Sequence, residues 1–305
     1  MDPTPRPTTL QVERRFPLDL READCSIRSL YEAAKAAHWN PETDLPWQHN
    51  EIAAATAAAR SAARRVWSRR AWVEYTGMTA TPALLIRFCL ELNRESDPKY
   101  FLTVRNTEEA WHVESFHRYA EACGGYVDRP ADPAWEPVFN QTLYRDALDA
   151  DVSIDAYVAA HCAFVDGLEH ALAAAWLANA KEPLARAMLT RCLADYARHA
   201  AFGWLYAERR AAEMDAGLRE RVVASLVRHV GEVEFAGYHC AALATTLDAA
   251  PEAHDLGLVA GAGLGAVSAQ EEVVIFRAWL ATSRERFAAL GLHLPAIPHP
   301  RLGEF

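Results

Sequence analysis

With 305 residues, 31 basic and 41 acidic side chains and a formal net charge of −10, the chain has an acidic excess, and its basic residues are scattered, as between Arg60 and Arg70, rather than gathered in a stripe. That balance excludes a nucleic-acid partner. An apolar share of 51%, with alanine throughout and neither β-branched runs nor Asn-Gly hairpin turns, excludes a β architecture and points to an all-α chain in one domain.

Residues 1–20 are rich in Pro, Thr and Arg without periodicity and read as an N-terminal arm. Their opening, Met1-Asp2-Pro3-Thr4-Pro5, has no apolar signal core. A helical body is expected over 21–290. Its predicted helices run from Asp24, a good N-cap, to His38; from about Glu51 to Thr76; from Thr81 to Leu92; from about Lys99 to Cys123; and from Pro133 to Ala147. Further helices are predicted from Ile154 to Ala180, Pro183 to Glu213, Leu218 to Leu247 and Val267 to Leu290. Breakers fall at Asn40-Pro41, Thr81-Pro82, Gly124-Gly125, Glu182-Pro183 and Gly261 to Gly265. The last of these reads as a turn, because no strand precedes it as a dinucleotide loop requires. Residues 291–305, with Pro295, Pro298 and Pro300, read as a C-terminal arm. No apolar stretch approaches the roughly 18–20 residues of a spanning helix, so a cytoplasmic protein with no membrane partner is expected. The six cysteines stand singly, without a C-x-x-C pair, and read as small buried thiols.

Chemistry is concentrated on four helices. A di-metal bundle site takes one carboxylate from each of two helices and a Glu-x-x-His pair from each of two others, since residues i and i+3 share a helix face. The segment from Glu108 to His117 contains two such pairs. At about 100° per residue, Leu102, Val113, Phe116, Ala120 and Cys123 cluster around Glu109, whereas Glu114 lies roughly 140° away. Glu109 and His112 therefore face the core, as metal ligands or as a satisfied structural pair, and Glu114 and His117 face the polar flank. From Leu189 to Ala207 the apolar face surrounds Tyr196, with His199 one turn on. Asp195 and Arg198 lie towards the flank, where they can fix an imidazole tautomer from behind. From Ile154 to Ala180, Asp166 shares an alanine-lined face with Ala159, Cys162 and Ala173. Glu169 and His170 stand at its two edges, and His170 is grouped with the supporting residues. In the first helix Glu32 shares a face with Cys25, Ala36 and Trp39.

Four stretches, LYEAAKAAHWNPETDLPW from Leu30, EEAWHVESFHRY from Glu108, FVDGLEHAL from Phe164 and LADYARHAAFG from Leu193, resemble the ferritin-like di-metal carboxylate superfamily. The likeness is to its oxidases and oxygenases related to ribonucleotide reductase small subunits and diiron N-oxygenases. The resemblance implies a ferritin-like four-helix bundle with additional flanking helices, and a homodimer. It makes Glu32 a carboxylate ligand, Glu109 and His112 the first Glu-x-x-His, Asp166 the third-helix carboxylate and His199 the histidine of the second motif. Two positions depart from the pattern. Asp166 stands where the family has Glu, and Tyr196 stands where the second bridging Glu belongs. Two divalent ions need about four anionic groups in a low-dielectric core, so Glu169 is expected to supply the fourth, with Tyr196 beside the metals as phenolate, redox-active group or acid/base.

The expected function is that of a non-haem diiron-type oxidoreductase that binds two iron ions, or manganese, and uses O₂ to oxidise a small metabolite. The competing readings are an enzyme on the same scaffold with fewer or no metals, working through Tyr196, Asp166, Glu169 and His199, and a non-catalytic helical binding protein. Trp39, Trp111 and Trp204 read as core rather than as pocket walls.

Overall fold

The computed structural model describes residue 20 and residues 25–91, 96–140, 143–149 and 151–305. Most of the expected N-terminal arm, the Asp24 cap and the predicted helix end at Leu92 lie outside the described residues. The helices are α1 (Cys25–Ala36), α2 (Ala57–Tyr75), α3 (Gly77–Glu91), α4 (Asp97–Ala122), the short α5 (Glu136–Phe139) and α6 (Leu143–Leu148), α7 (Ile154–Tyr157), α8 (Asp166–Asn179), α9 (Pro183–Ala211), α10 (Ala216–Arg228), α11 (Ala250–Gly261) and α12 (Ala269–Ala289). Helix α7 continues into α8 through a π-helical stretch, Val158–Val165, that is buried throughout. The bundle at the centre consists of α2 along α4, α4 against α9, and α9 along the π stretch and α8. Helices α1 and α3 flank α4, α11 flanks α2, and α12 flanks α8. The chain is thus the all-α bundle with flanking helices that its sequence implies.

Local chemistry fixes the ends of the bundle helices. Thr56 caps α2 by accepting from the Ala59 amide, Glu182 caps α9 by accepting from the Ala185 amide, and Pro183 occupies the first helical position, where no donor is needed. Ser268 and Glu271 form a reciprocal capping box at the start of α12. Helix α9 approaches the π stretch so closely at Gly203 that a Cβ there would collide with the Cys162 backbone. Glycine is what permits the contact.

Three sequence expectations are corrected. The helix that ends as expected at Thr76 is followed directly by α3, which starts at Gly77 rather than Thr81, so that Pro82 lies inside a helix and is no breaker. The single helix expected from Leu218 to Leu247 ends in a π turn, His229–Val233, and the chain then reverses at Gly237, whose φ of 93° is left-handed. Helix α11 follows, in a segment whose Pro251, Gly257 and Gly261 resemble breakers. Finally, residues 291–305 are no free arm. Leu292, Leu294, Ile297 and Phe305 are buried, and Pro298–His299 pairs antiparallel with Gly303–Glu304. His299 bonds the Leu243 carbonyl, and Phe305 packs on Phe235 and Phe276.

Among the described residues no helix is long and apolar enough to cross a membrane. Four of the six cysteines are buried as expected, but Cys25 is exposed and Cys89 half-buried.

Candidate metal centre

A cavity of about 50 Å³ lies in the centre of the bundle. Its polar walls include Glu74 of α2, Arg105 and Glu109 of α4, Asp166 and Glu169 of α8, and Tyr196 and His199 of α9, together with Thr76, Tyr157, His161 and Tyr238. The structure therefore brings together Glu109, Asp166, Glu169, Tyr196 and His199, as their helical faces require, with His112 directly behind Glu74. Glu32 is not part of this group. It is exposed on α1 and pairs with Lys35 at 2.5 Å and Arg28 at 3.9 Å. The carboxylate from the first bundle helix is Glu74, because α2 and not α1 is that helix. His170 is also displaced from its expected supporting role. It is half-buried and lines a separate outer recess with Trp204 and Trp279.

Each histidine is held from behind by an acid. Asp195 Oδ2 lies 3.1 Å from His112 Nε2 and accepts from Trp39 Nε1 at 2.9 Å. Glu108 Oε2 lies 2.9 Å from His199 Nε2. Arg198 ties the two supports together, donating to Glu108 at 2.5 Å and to Asp195. Asp195 and Arg198 thus occupy the positions read for them, and Glu108 joins them. With both Nε2 atoms committed, Nδ1 is the ring nitrogen left to each imidazole for other partners. His112 Nδ1 lies 3.3 Å from Glu74 Oε2, and the other oxygen of Glu74 accepts from the Tyr196 hydroxyl.

The wall formed by Asp166 is different. Arg105 places Nη1 2.8 Å from Glu109 Oε1 and Nη2 2.7 Å from Asp166 Oδ1, with its side chain only 9% exposed. Thr81 donates to Glu109 Oε1 at 3.0 Å. Glu109 Oε2 and Asp166 Oδ2 are left buried without a partner. Room for the Glu109 carboxyl depends on Gly77, where a Cβ would stand 2.6 Å from its carboxyl carbon. Glu169 faces away from Arg105 and meets His239 Nε2 at 3.3 Å, and His239 Nδ1 meets Glu234 at 2.8 Å. Glu234 also bonds His229 Nε2 at 3.1 Å.

The electrostatics follow these contacts. Burial raises Glu109 to about 7, against the pull of Arg105 and Thr81. Burial likewise holds Asp166 well above the carboxylate range in spite of Arg105. At His112 burial opposes charge, but Cys192, Asp195 and Glu74 outweigh it and push the ring well above its ordinary value. At His199 burial and the Arg105 guanidinium both push it well below. Burial and the neighbouring Glu74 raise Tyr196, so it remains a neutral phenol that donates its proton. His239 is raised to about 10, because Glu234 and Glu169 more than offset its burial.

A second cavity, of about 500 Å³, adjoins the first and shares Val73, Glu74, Glu169 and Tyr196 with it. Its walls are mainly aromatic and aliphatic, with Trp72, Phe116, Trp135, Phe139, Leu172 and Trp176 prominent. Trp39 is a core residue, as expected, but Trp204, although buried, also walls the outer recess beside His170, and Trp111 is half-buried.

The donors suit an iron-class ion on the Glu74 side. Glu74, Glu109 and His112 offer two carboxylates and an imidazole oriented by Asp195, and the orphaned Glu109 Oε2 is an acceptor that only a cation or a donor group can satisfy. Among the described residues no three His, Cys, Asp or Glu side chains already converge on one point, so closing on an ion requires side-chain rotation.

No protein-family model matches the sequence, and no curated protein sequence does. Solved structures do match the fold. An R2-like ligand-binding oxidase with aerobically reconstituted Mn/Fe cofactor superposes with a TM-score of 0.68 at 16% identity, over 86% of this chain and 93% of its own. The structure of such an oxidase with its metal cofactor after photoconversion gives 0.66 at 18% identity, over 88% and 94%. A single-residue variant with the Mn/Fe cofactor gives 0.67 at 16%, over 88% and 95%. This chain therefore has the ferritin-like fold of the oxidases related to ribonucleotide reductase small subunits.

Proposed function

We propose that the chain is a non-haem metal-dependent oxidoreductase that uses O₂ to oxidise a small, largely apolar molecule held in the larger cavity. The observation that carries this reading is the wall that the two cavities share at Glu74, Glu169 and Tyr196, which sets a cluster of oxygen and nitrogen donors beside an aromatic chamber. The ligand-binding oxidases that share the fold carry Mn/Fe cofactors, and the carboxylate and imidazole donors here suit iron or manganese.

In this reading Glu74, Glu109 and His112 hold the metal, with Asp166, Glu169 and His199 on the facing wall. When bound, the metal supplies the binding and reduction of O₂. The protein does the rest. Asp195 and Glu108 fix the imidazoles through Nε2, so that neither ring needs to reorganise. Tyr196 keeps its proton on Oη and offers it to Glu74 at the boundary of the two cavities. The indole and phenyl walls exclude water from a substrate and supply its apolar contacts.

Elemental analysis after anaerobic loading with Fe²⁺ tests the proposal. Glu74→Gln and His112→Ala should lower the metal content, whereas Glu32→Gln should leave it unchanged. A wild-type chain that takes up neither Fe²⁺ nor Mn²⁺ would overturn the metal-dependent reading.

A further inference from the structure

Resting on that metal-dependent reading, we infer that Arg105 takes the place of a second metal ion, so that the centre holds one ion beside a fixed guanidinium rather than a pair. A second ion on the Asp166 side would draw on Asp166, His199, a shared oxygen of Glu109 and the residue at position 196. Arg105 already engages an oxygen of both Glu109 and Asp166, at 2.8 and 2.7 Å. Position 196 offers a phenol, and its hydroxyl donates to Glu74 instead of presenting a negative oxygen. Asp166 Oδ2 and the Glu169 carboxylate, whose Oε1 already meets His239, would be the anionic oxygens left for that ion.

Charge leads to the same result. Glu169 shares the His239 imidazole with Glu234, at 3.3 and 2.8 Å. In their ionised forms Glu74, Glu109 and Asp166 bring three negative charges to the cavity wall and Arg105 returns one positive, so the guanidinium already supplies part of the positive charge that a second ion would bring. The guanidinium cannot deprotonate to make way. It has nowhere wet to move, because its side chain is buried between α4 and α8. A second cation beside it would face like-charge repulsion in a low-dielectric site. Of the two departures from the expected ligand set, the one at Tyr196 is thereby accounted for. A phenol at position 196 and a guanidinium at position 105 both remove the need for a second ion.

Loading the purified full-length chain with Mn²⁺ and reading stoichiometry by elemental analysis and nuclearity by electron paramagnetic resonance tests this. The wild-type chain and Arg105→Lys should each bind one ion and show the hyperfine pattern of an isolated Mn²⁺. The double variant Arg105→Gln, Tyr196→Glu should bind two and show exchange coupling. Two coupled ions in the wild-type chain would overturn the replacement while leaving the metal-dependent reading intact. No ion in the wild-type chain would overturn both. A folded double variant that still holds one ion would show that Arg105 and Tyr196 are not what excludes the second. The wild-type measurement decides the matter even where the double variant fails to fold.

Discussion

The two sides of the central cavity follow one plan up to their histidines and diverge beyond them. His112 and His199 are each held through Nε2 by an acid from the facing helix, and Arg198 spans both supports. On the His112 side the next groups are carboxylates, Glu74 and Glu109. On the His199 side they are Asp166 and the Arg105 guanidinium that engages it, with the Tyr196 phenol between the two sides, its hydroxyl donating to Glu74. The two rings are driven apart accordingly, since burial at His112 is outweighed by the Cys192, Asp195 and Glu74 side chains, which raise that ring, whereas burial and Arg105 together lower His199. In the proposed metal centre the scaffold that orients the imidazoles is thus present on both sides, while the unopposed carboxylate charge stands on one. Orientation and recruitment are separate properties, and substitutions can address them separately.

The largest effect should come from removing the guanidinium. Arg105→Met leaves Asp166 and Glu109 buried without their cation, and breaking a buried pair in this way costs roughly 3–5 kcal/mol. The sign with pH follows from the carboxyls. Burial already raises both, and Arg105 pulls both down, so its loss raises them further. A raised folded-state pKa gives stability that is present below the ordinary value of 4.5 and is lost as pH rises through the folded value, which for Glu109 is about 7 with Arg105 in place. The deficit of the variant should therefore be small in acid and reach its full size above neutral pH. Urea denaturation of the metal-free proteins measures it. Equal stability of variant and wild type above neutral pH would mean that Arg105 is not the cation balancing this wall.

A smaller effect should separate the two supports. Asp195→Asn weakens the group behind His112, and changes of this kind typically cost about 10–100-fold in metal affinity. Glu108→Gln makes the equivalent change behind His199, which faces Arg105, and should alter affinity by only a few-fold. Competition against a chelator with a metal-sensitive dye provides the comparison. Equal losses would mean that both imidazoles bind metal, and the contrast between the two sides would disappear.

Much of this arrangement is legible in the sequence. Glu109, His112, Tyr196 and His199 were found because their helices are long and regular, so that an apolar face can be traced on both sides of each residue. Asp166 and Glu169 were found on the same ground, although the π-helical stretch before them shifts the phase of the residues upstream. Glu74 was missed for an identifiable reason. It stands at helical spacing from Ala63, Trp67 and Ala71, all buried, but α2 carries Arg60, Arg64, Arg65, Arg69 and Arg70 and so reads as a surface helix. Long arginine side chains can cover apolar neighbours while reaching carbonyls and aromatic faces, as Arg70 does over Trp176. Arg105 was hidden differently. Four residues before Glu109, it has the spacing of an ordinary surface ion pair, and only the approach of α8 turns that pair into a buried one. The region after α10 was misread because its alanine content favours helix, while Gly237 and contacts with the C-terminal segment decide the path.

The smallest expected effect on metal content is at Tyr196, whose position at the boundary of the two sides makes its protonation informative. A phenol has a reference pKa near 10 and ionises at neutral pH only beside a strong cation. Here burial and Glu74 raise it further, and its hydroxyl donates to Glu74. The iron-loaded, oxidised protein should accordingly lack a visible iron–phenolate charge-transfer band. Tyr196→Phe removes one hydrogen bond to a buried carboxylate, worth about 1.5–3 kcal/mol where nothing replaces it. A bound ion on the Glu74 side would satisfy that oxygen in its place. The variant should therefore lose stability in the metal-free state and recover most of it on loading, with its metal content unchanged. Thermal unfolding of the metal-free and loaded forms, with visible spectra of the loaded one, reads all three quantities. A charge-transfer band in the wild-type protein that disappears in the phenylalanine variant would place a phenolate on the metal. Tyr196 would then replace the missing bridging carboxylate as an anion, and the side of the cavity assigned to Arg105 would regain the charge that a second ion needs.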